Sequence, residues 1–144
     1  MDCLVRTEKE EVRAVIDTAL KAARHEDPGA IEPLISESYH DSYHNTKNIL
    51  MHYCRTWLSQ PLIKKNYKTI LEEKISPPQA AVVMTVRTVF DEQSFVARNL
   101  RSTITAKARL NLTKKQDRWL IERVEILELA GRPAQWKDIN SADW

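Results

Sequence analysis

Hydrophobic and polar side chains alternate over residues 97–112, with apolar residues at most even positions and polar residues at the odd ones. A period of two is the repeat of a β-strand, because successive side chains point to opposite faces of a sheet. Apolar residues also recur here at steps of four, but the β-branched Thr103, Ile104 and Thr105 favour a strand over a helix. The pattern predicts one long strand with an apolar face and a polar face.

Three more segments of the C-terminal half alternate in the same way, and short polar turns separate them. Short connections imply that neighbouring strands run antiparallel. The predicted strands are residues 62–75, 80–90, 97–112 and 118–129. The second strand is apolar on both faces, so we expect the helices to cover one face and a partner subunit or the C-terminal tail to cover the other.

The N-terminal half shows helical spacing instead. Thr7 followed three residues later by Glu10 is a capping-box pattern, and it opens a predicted first helix over residues 8–24. Asp27 and Pro28 fit the N-cap and the first position of a second helix. This helix must be short, because a proline five residues further on removes a backbone donor.

A third helix follows an irregular segment, with Asn45 or Thr46 as its N-cap and an apolar face that includes Tyr53 and Trp57. Three helices followed by at least four antiparallel strands make an α+β fold. The chain of 144 residues suits one domain over residues 1–129, with residues 130–144 as a C-terminal tail. Trp136 of that tail is expected to pack onto the domain.

Composition limits the cellular locations and the classes of protein that can be expected. The chain is 42% hydrophobic and 29% charged, and no apolar run reaches the roughly 18 residues of a membrane-spanning helix. The N-terminus has no secretory signal pattern, so a cytoplasmic location is expected. Cys3 and Cys54 are far apart in sequence and have no ligand spacing, so neither a disulfide framework nor a zinc site is expected.

Charge is unevenly distributed although the net charge is only +2. Residues 97–116 contain six basic side chains and no acidic one. A nucleic-acid surface is one interpretation, but the motifs and stacking aromatics of the common nucleic-acid modules are missing. We therefore favour pairing of Arg101, Lys107 and Arg109 with glutamates on adjacent strands or across a dimer.

The order of these elements resembles that of the NTF2-like superfamily, which includes nuclear transport factor 2, SnoaL-like and ketosteroid-isomerase-like proteins. The resemblance rests on the first-helix stripe, the turn at Glu26 and Asp27, the third helix, and the last strand with its Trp119-Leu120-Ile121 start. It implies a cystatin-like cone, in which a curved sheet wraps around the helices and leaves a pocket at the open end. It also implies a homodimer through the outer sheet face, for which the candidate residues are Val83, Val89, Arg101, Lys107 and Arg109.

Residues 38–45 read SYHDSYHN, a tandem near-repeat with the highest density of chemically active side chains in the chain. In an extended segment Tyr39, Asp41 and Tyr43 point to one side and could line a pocket mouth. A simpler interpretation is that these residues only cover the open end of the cone. The candidate ligand-binding residues are Tyr39, Tyr43, His44, Tyr53 and Trp57.

The isomerase-type members have a general-base aspartate just after the second helix, and Asp41 lies near that position. They also have an oxyanion-stabilising tyrosine on the first helix, where this chain reads IDTAL at residues 16–20. This departure counts against that chemistry, which needs a donor as well as a base. Asp41 and His40 are the candidate catalytic residues. His40 and His44 alone do not make a metal site, so no metal or cofactor is expected.

Two functions follow as hypotheses. The first is a homodimeric module that binds a small apolar ligand or another protein. The alternative is a SnoaL-like or ketosteroid-isomerase-type enzyme that acts on an apolar cyclic substrate, with Asp41 as general base.

Overall fold

The computed structural model describes residues 7–99, 101–129 and 132–133, and it begins with the predicted first helix, α1 (Glu8–Arg24). Thr7 is confirmed as the N-cap: its hydroxyl oxygen accepts from the Glu10 backbone N–H at 3.1 Å. The Thr7 hydroxyl also lies 3.2 Å from the Glu10 carboxylate. The first of these bonds satisfies a backbone donor that the first turn of a helix leaves free.

The short second helix is confirmed as α2 (Pro28–Ile31), with Asp27 as the N-cap, followed by one 3₁₀ turn (Glu32–Leu34). The third helix, α3 (Lys47–Trp57), has Thr46 rather than Asn45 as its N-cap. Between them, residues 35–46 run without regular secondary structure apart from isolated bridges. None of the helices in the described ranges is long and apolar enough to cross a membrane.

Within the described residues, five strands form one antiparallel meander in the order β1-β2-β3-β4-β5. Their bounds are β1 (Ile63–Ser76), β2 (Gln79–Phe90), β3 (Thr103–Lys115), β4 (Arg118–Leu129) and β5 (Arg132–Pro133). β3 is the central strand, and β1 lies at one end of the sheet. The predicted α+β architecture of N-terminal helices on an antiparallel sheet is confirmed. Of the predicted tail, only the backbone of β5 is described, and Trp136 lies outside the described residues.

The start of the third predicted strand is wrong. Residues 95–99 form a short helix, α4 (Phe95–Asn99), and the strand begins only at Thr103. The Ser94 hydroxyl accepts from the Ala97 backbone N–H at 3.1 Å, and Val96 is 2% exposed. A capped turn with one buried anchor therefore replaces a strand where the alternation suggested one. Leu100 lies outside the described residues.

The core lies between α1 and the inner face of the sheet. Val12 and Ile16 of α1 are fully buried, as the predicted helical stripe requires. The inner face of β2 and β3 consists of cross-strand apolar pairs, such as Val82 with Leu110 and Ala80 with Leu112. Because side chains alternate, the odd positions of both strands face outward.

Polar contacts also attach α1 to the sheet. Lys68 of β1 donates to Asp17 at 2.5 Å, and Arg13 pairs with Glu73 further along the same strand. At the other end of α1, the Glu8 carboxylate accepts from Lys114 Nζ at 2.6 Å and from Trp119 Nε1 at 2.7 Å. These hydrogen bonds lower the pKa of Glu8, and that carboxylate raises the pKa of Lys114.

Candidate functional site

Residues 35–45, which contain the tandem repeat, lie along the edge of β4 that β3 leaves free. Ile35 forms a parallel bridge with Ile121, and the Ser36 N–H donates to the Ile121 carbonyl at 2.9 Å. The His40 N–H donates to the Glu122 carbonyl at 3.3 Å. The segment therefore acts as a partial strand that satisfies backbone acceptors on the edge of the sheet.

The two tyrosines of the repeat continue this cover with their side chains. The Tyr43 hydroxyl donates to the Ile126 carbonyl at 3.3 Å and accepts from the Ile126 N–H at 3.1 Å. The Val124 backbone lies near the Tyr39 side chain and lowers the pKa of its phenol, against the larger effect of burial. Tyrosines four residues apart in the loop thus meet backbone groups two residues apart in the strand, and together they occupy the edge of β4.

The Asp41 carboxylate holds the loop in this position. Its Oδ2 accepts from the Tyr39 hydroxyl at 2.8 Å and from the Asn45 amide at 3.2 Å. Its Oδ1 accepts from the backbone N–H groups of Tyr43 at 2.9 Å and Asn45 at 3.1 Å. Asp41 is only 8% exposed, and four donors converge on its two oxygens. A carboxylate has about four acceptor positions, so this arrangement favours a structural role over proton transfer.

Tyr39 is 3% exposed. Burial raises its pKa well above the ordinary value for a tyrosine, and the hydrogen bond to Asp41 adds to the shift. The phenol therefore stays protonated and acts as a donor. Burial also raises the pKa of the Cys54 thiol on α3, which keeps that cysteine in the unreactive thiol form.

The two histidines of the repeat do not converge. His40 Nδ1 lies 3.1 Å from the Ser38 carbonyl, and the side chain is exposed. His44 has a positive φ of 66° in the turn that follows Asp41 and is also exposed. Within the described ranges, no group of three histidine, cysteine or acidic side chains is arranged to hold a metal.

A polar network next to this loop was missed at the sequence level. The Ser38 hydroxyl donates to Glu122 Oε1 at 2.7 Å, and Lys115 Nζ donates to the hydroxyls of Ser38 at 3.1 Å and Ser36 at 3.3 Å. Burial raises the pKa of Glu122, but the serine hydrogen bonds and the Lys115 charge bring it below its ordinary value. The serines and Glu122 lie about 85 residues apart, and the sequence contains no local signal that would join them.

Tyr53 and Trp57 on α3 stack on each other, with ring centroids 5.5 Å apart and an interplanar angle of 22°. Their spacing of four residues places them on one side of the helix. They form a stacked aromatic pair on α3.

The candidate interface residues lie on the outer sheet face, with one exception. Val83 pairs with Arg109, and Val89 pairs with Thr103, so the register aligns β2 and β3 as expected. Lys107 Nζ lies 3.5 Å from a Glu128 carboxylate oxygen, which confirms the predicted pairing for that lysine. Arg101 precedes β3, where its N–H donates to the Val96 carbonyl, so its predicted place in the strand is wrong.

Several open cavities lie in the described part of the chain, and neither Asp41 nor His40 lines the following three of them. The first, of about 520 Å³, lies between α1 and β1. The second, of about 240 Å³, lies between α1 and the β3–β4 hairpin. The third, of about 550 Å³, is a depression on the outer sheet face around Tyr67 and Arg87.

No protein-family model matches the chain, and no curated protein matches it either. Solved structures do match its fold. An NTF2-like protein of unknown function from Shewanella oneidensis has a TM-score of 0.66 at 18% identity, over 83% of this chain and 98% of that one. A putative scytalone dehydratase from Novosphingobium aromaticivorans has a TM-score of 0.64 at 11% identity, over 89% of each chain.

A putative calcium/calmodulin-dependent protein kinase II association domain from Xanthomonas campestris has a TM-score of 0.60 at 17% identity. The match covers 84% of this chain and 87% of that one. Another neighbour is described as having a cystatin-like fold, with a TM-score of 0.62. These likenesses establish that the chain has the NTF2-like, cystatin-like fold, as the sequence pattern predicted.

Proposed function

We propose that this chain is a binding module that works as a homodimer, with the outer face of the sheet as the contact between copies. One observation carries the proposal: a row of side chains crosses four strands of that face with a self-complementary order of charge. Glu72, Val83, Arg109 and Glu125 are consecutive partners in the strand register. The row therefore reads acidic, aliphatic, basic and acidic.

A symmetric dimer brings the same patch of both copies together, so the patch must complement itself. A two-fold axis that runs along β2 at Val83 reverses the row in the second copy. Glu72 of one copy then faces Arg109 of the other, and the two valines meet between them. Opposite charges around an apolar centre are typical of a specific interface.

Aliphatic side chains enlarge this centre. Ala81, Val83 and Val89 occupy outward positions of β2 and are half-buried, whereas α1 covers only the opposite face. Leu71 lies in the β1 bulge beside Val83 and is 49% exposed. Burying these groups against a second copy would stabilise a dimer by about 25 cal/mol for each Å² removed from water. One structural neighbour is itself described as an association domain, which supports the proposal.

Charge reversal with rescue tests the proposal. We expect sedimentation velocity to give a dimer for the natural chain and a monomer for Glu72→Arg or Arg109→Glu alone. The double variant should restore the dimer, because each altered residue again faces an opposite charge. Within one copy these two residues are separated by Val83, so intramolecular pairing does not explain a rescue.

A second pair of variants tests the apolar centre. Val83→Lys should give a monomer, whereas Ile49→Lys, which alters an exposed apolar residue on α3, should leave the dimer unchanged. A natural chain that sediments as a monomer at 100 µM, a concentration on the order of the affinity of weak interfaces, would overturn the proposal.

The enzyme alternative, with Asp41 as general base, is supported by one comparison, the neighbour described as a putative scytalone dehydratase. The four donors around Asp41 weigh against it. Binding of a small apolar ligand by Tyr39, Tyr43, His44, Tyr53 and Trp57 stays a prediction. Isothermal titration with a panel of apolar cyclic ketones would test it.

A further inference from the structure

The cavity between α1 and β1 lies at the edge of the sheet, beside its terminal strand. Its α1 side consists of residues on one helical stripe, and its β1 side consists of three consecutive residues. The lining residues are Asp17, Leu20, Lys21, Arg24, Asn66, Tyr67 and Lys68. We call this cavity the edge groove.

Three consecutive strand residues can line one groove only if the groove follows the edge of the strand. Asn66 and Lys68 face α1, whereas Tyr67 faces outward, because successive side chains alternate. β1 is the terminal strand of the sheet, and no residue in the described ranges pairs with its outer edge. An occupant of the edge groove would therefore meet backbone N–H and C=O groups as well as side chains.

The edge groove is basic. Lys68 is paired with Asp17 at 2.5 Å, but neither Lys21 nor Arg24 has a carboxylate partner among the described residues. Both side chains are exposed on the last turn of α1. Two more lysines, Lys64 and Lys65, precede the groove on β1 and are exposed, and Lys64 Nζ lies 3.6 Å from a Glu92 carboxylate oxygen. The groove therefore offers positive charge to an incoming segment.

The floor of the edge groove is held in place by hydrogen bonds of Asn66. The Asn66 amide donates to the Leu20 carbonyl of α1 at 3.3 Å, and its oxygen accepts from Thr88 at 2.9 Å. These bonds hold β1 and α1 at a constant separation. A preformed site loses less free energy to ordering when a ligand binds.

We propose that the edge groove binds an extended acidic segment of a partner protein, which adds to the sheet as a strand beside β1. Backbone hydrogen bonds to the free edge would supply the geometry. Acidic side chains of the segment would pair with Lys21 and Arg24 on the α1 side. Tyr67 would contact its apolar side chains on the other side. Tyr67 is shared with the outer face, but the variants that test the groove alter Lys21 and Arg24 on α1, so their result does not depend on the dimer.

The probe is a fluorescein-labelled octapeptide of alternating glutamate and valine, with binding followed by fluorescence anisotropy. A peptide of alternating lysine and valine is the control for charge. An N-methylated version of the acidic peptide keeps the charge and removes the backbone donors. We expect only the unmodified acidic peptide to bind, and we expect it to slow amide hydrogen exchange in β1 (Ile63–Ser76).

The matched variants reverse two charges each. Lys21→Glu with Arg24→Glu should weaken binding about ten-fold, as the loss of two exposed ion pairs predicts. Lys9→Glu with Arg98→Glu makes the same change in net charge at exposed positions away from the groove, and should change the affinity less than about two-fold.

Three results would overturn the proposal. The first is no binding of the acidic peptide at low ionic strength. The second is equal binding of the N-methylated peptide, which would mean attraction by charge without strand addition. The third is tighter binding of a single-stranded oligonucleotide that also depends on Lys21 and Arg24, which would make the groove a nucleic-acid site.

Discussion

The two edges of the sheet differ in how their backbone groups are satisfied. β4 is covered by residues 35–45, whose backbone and tyrosine hydroxyls pair with it, and then by β5. β1 has no described partner along its outer edge and instead carries lysines and two bulges. Lysines and bulges are common protection against unwanted strand pairing. The β4 edge, which we call the closed edge, is thus paired through hydrogen bonds. The β1 edge, which we call the open edge, is protected by charged side chains instead, and its backbone groups have no described partner.

The largest expected effect comes from releasing the loop at the closed edge. Asp41→Ala removes the acceptor of four hydrogen bonds, two of them from side chains, and leaves buried donors unpaired. We expect a loss of about 2–4 kcal/mol in the free energy of unfolding, measured with urea. Asp91→Ala is the matched control, because that aspartate accepts a single turn bond from Gln93 and should cost under about 1 kcal/mol.

The stability of Asp41→Ala also distinguishes a structural role of Asp41 from a catalytic one. If Asp41→Ala unfolds at the same urea concentration as the natural chain, the four hydrogen bonds do not hold the loop. The general-base hypothesis would then regain weight.

The next largest change in the free energy of unfolding is expected when one tyrosine from each edge is replaced and the two variants are compared. Tyr43→Phe leaves the Ile126 N–H and carbonyl without their side-chain partner, which should cost about 1 kcal/mol and speed exchange of the Ile126 amide. Tyr67→Phe at the open edge should change the free energy of unfolding by less than about 0.5 kcal/mol, because that side chain is 48% exposed. Equal losses for both variants would contradict the difference between the edges.

A smaller loss of stability is expected when the pH is lowered. Glu122 holds Ser38 at the closed edge, and its folded-state pKa lies below the value of 4.5 for the free side chain. Its contribution is therefore present above pH 4.5 and is lost as pH falls through the lowered pKa, because the unfolded state binds the proton first. The contribution should be under about 1 kcal/mol, since Glu122 is partly exposed.

Urea titrations between neutral and acidic pH would measure it. Glu122→Gln should lose less stability on acidification than the natural chain, and Glu92→Gln, an 82% exposed acid at the other end of the sheet, is the matched control. A profile for Glu122→Gln that matches the natural chain would contradict the assignment.

The smallest expected change in stability is at the open edge. Lys64→Val with Lys65→Val removes exposed charges and should shift the free energy of unfolding by less than about 0.5 kcal/mol. Self-association should nevertheless rise, because an edge without charge pairs with other copies. Light scattering against concentration would measure it, and unchanged scattering would mean that the lysines do not guard the edge.

Much of the fold could be predicted from local pattern. The N-cap at Thr7, the proline that shortens the second helix and the alternation of β4 each depend on residues close in sequence, and all three are confirmed. The error at α4 has the same origin. Alternation over residues 97–102 was a short coincidence, and the Ser94 cap that decides the local structure lies outside it.

The candidate site was located by its residue density, but its geometry could not be predicted. Whether Asp41 acts as a base or as an acceptor for the loop depends on the turn at His44 and on the register of Tyr43 against Ile126. That register joins residues 83 positions apart, and a shift of one position would turn the tyrosines away from the edge. The free edge of β1 is likewise a property of the assembled sheet.

The contacts of Glu8 with Lys114 and Trp119 can form only late in the synthesis of the chain. These partners lie 106 and 111 residues apart. At a synthesis rate of roughly 5–20 residues per second, the start of α1 waits about 5–20 s on the ribosome before its partners exist. The apolar stripe of α1 spends that interval without the last hairpin of the sheet. The start of α1 can therefore complete its contacts with the sheet only late in synthesis.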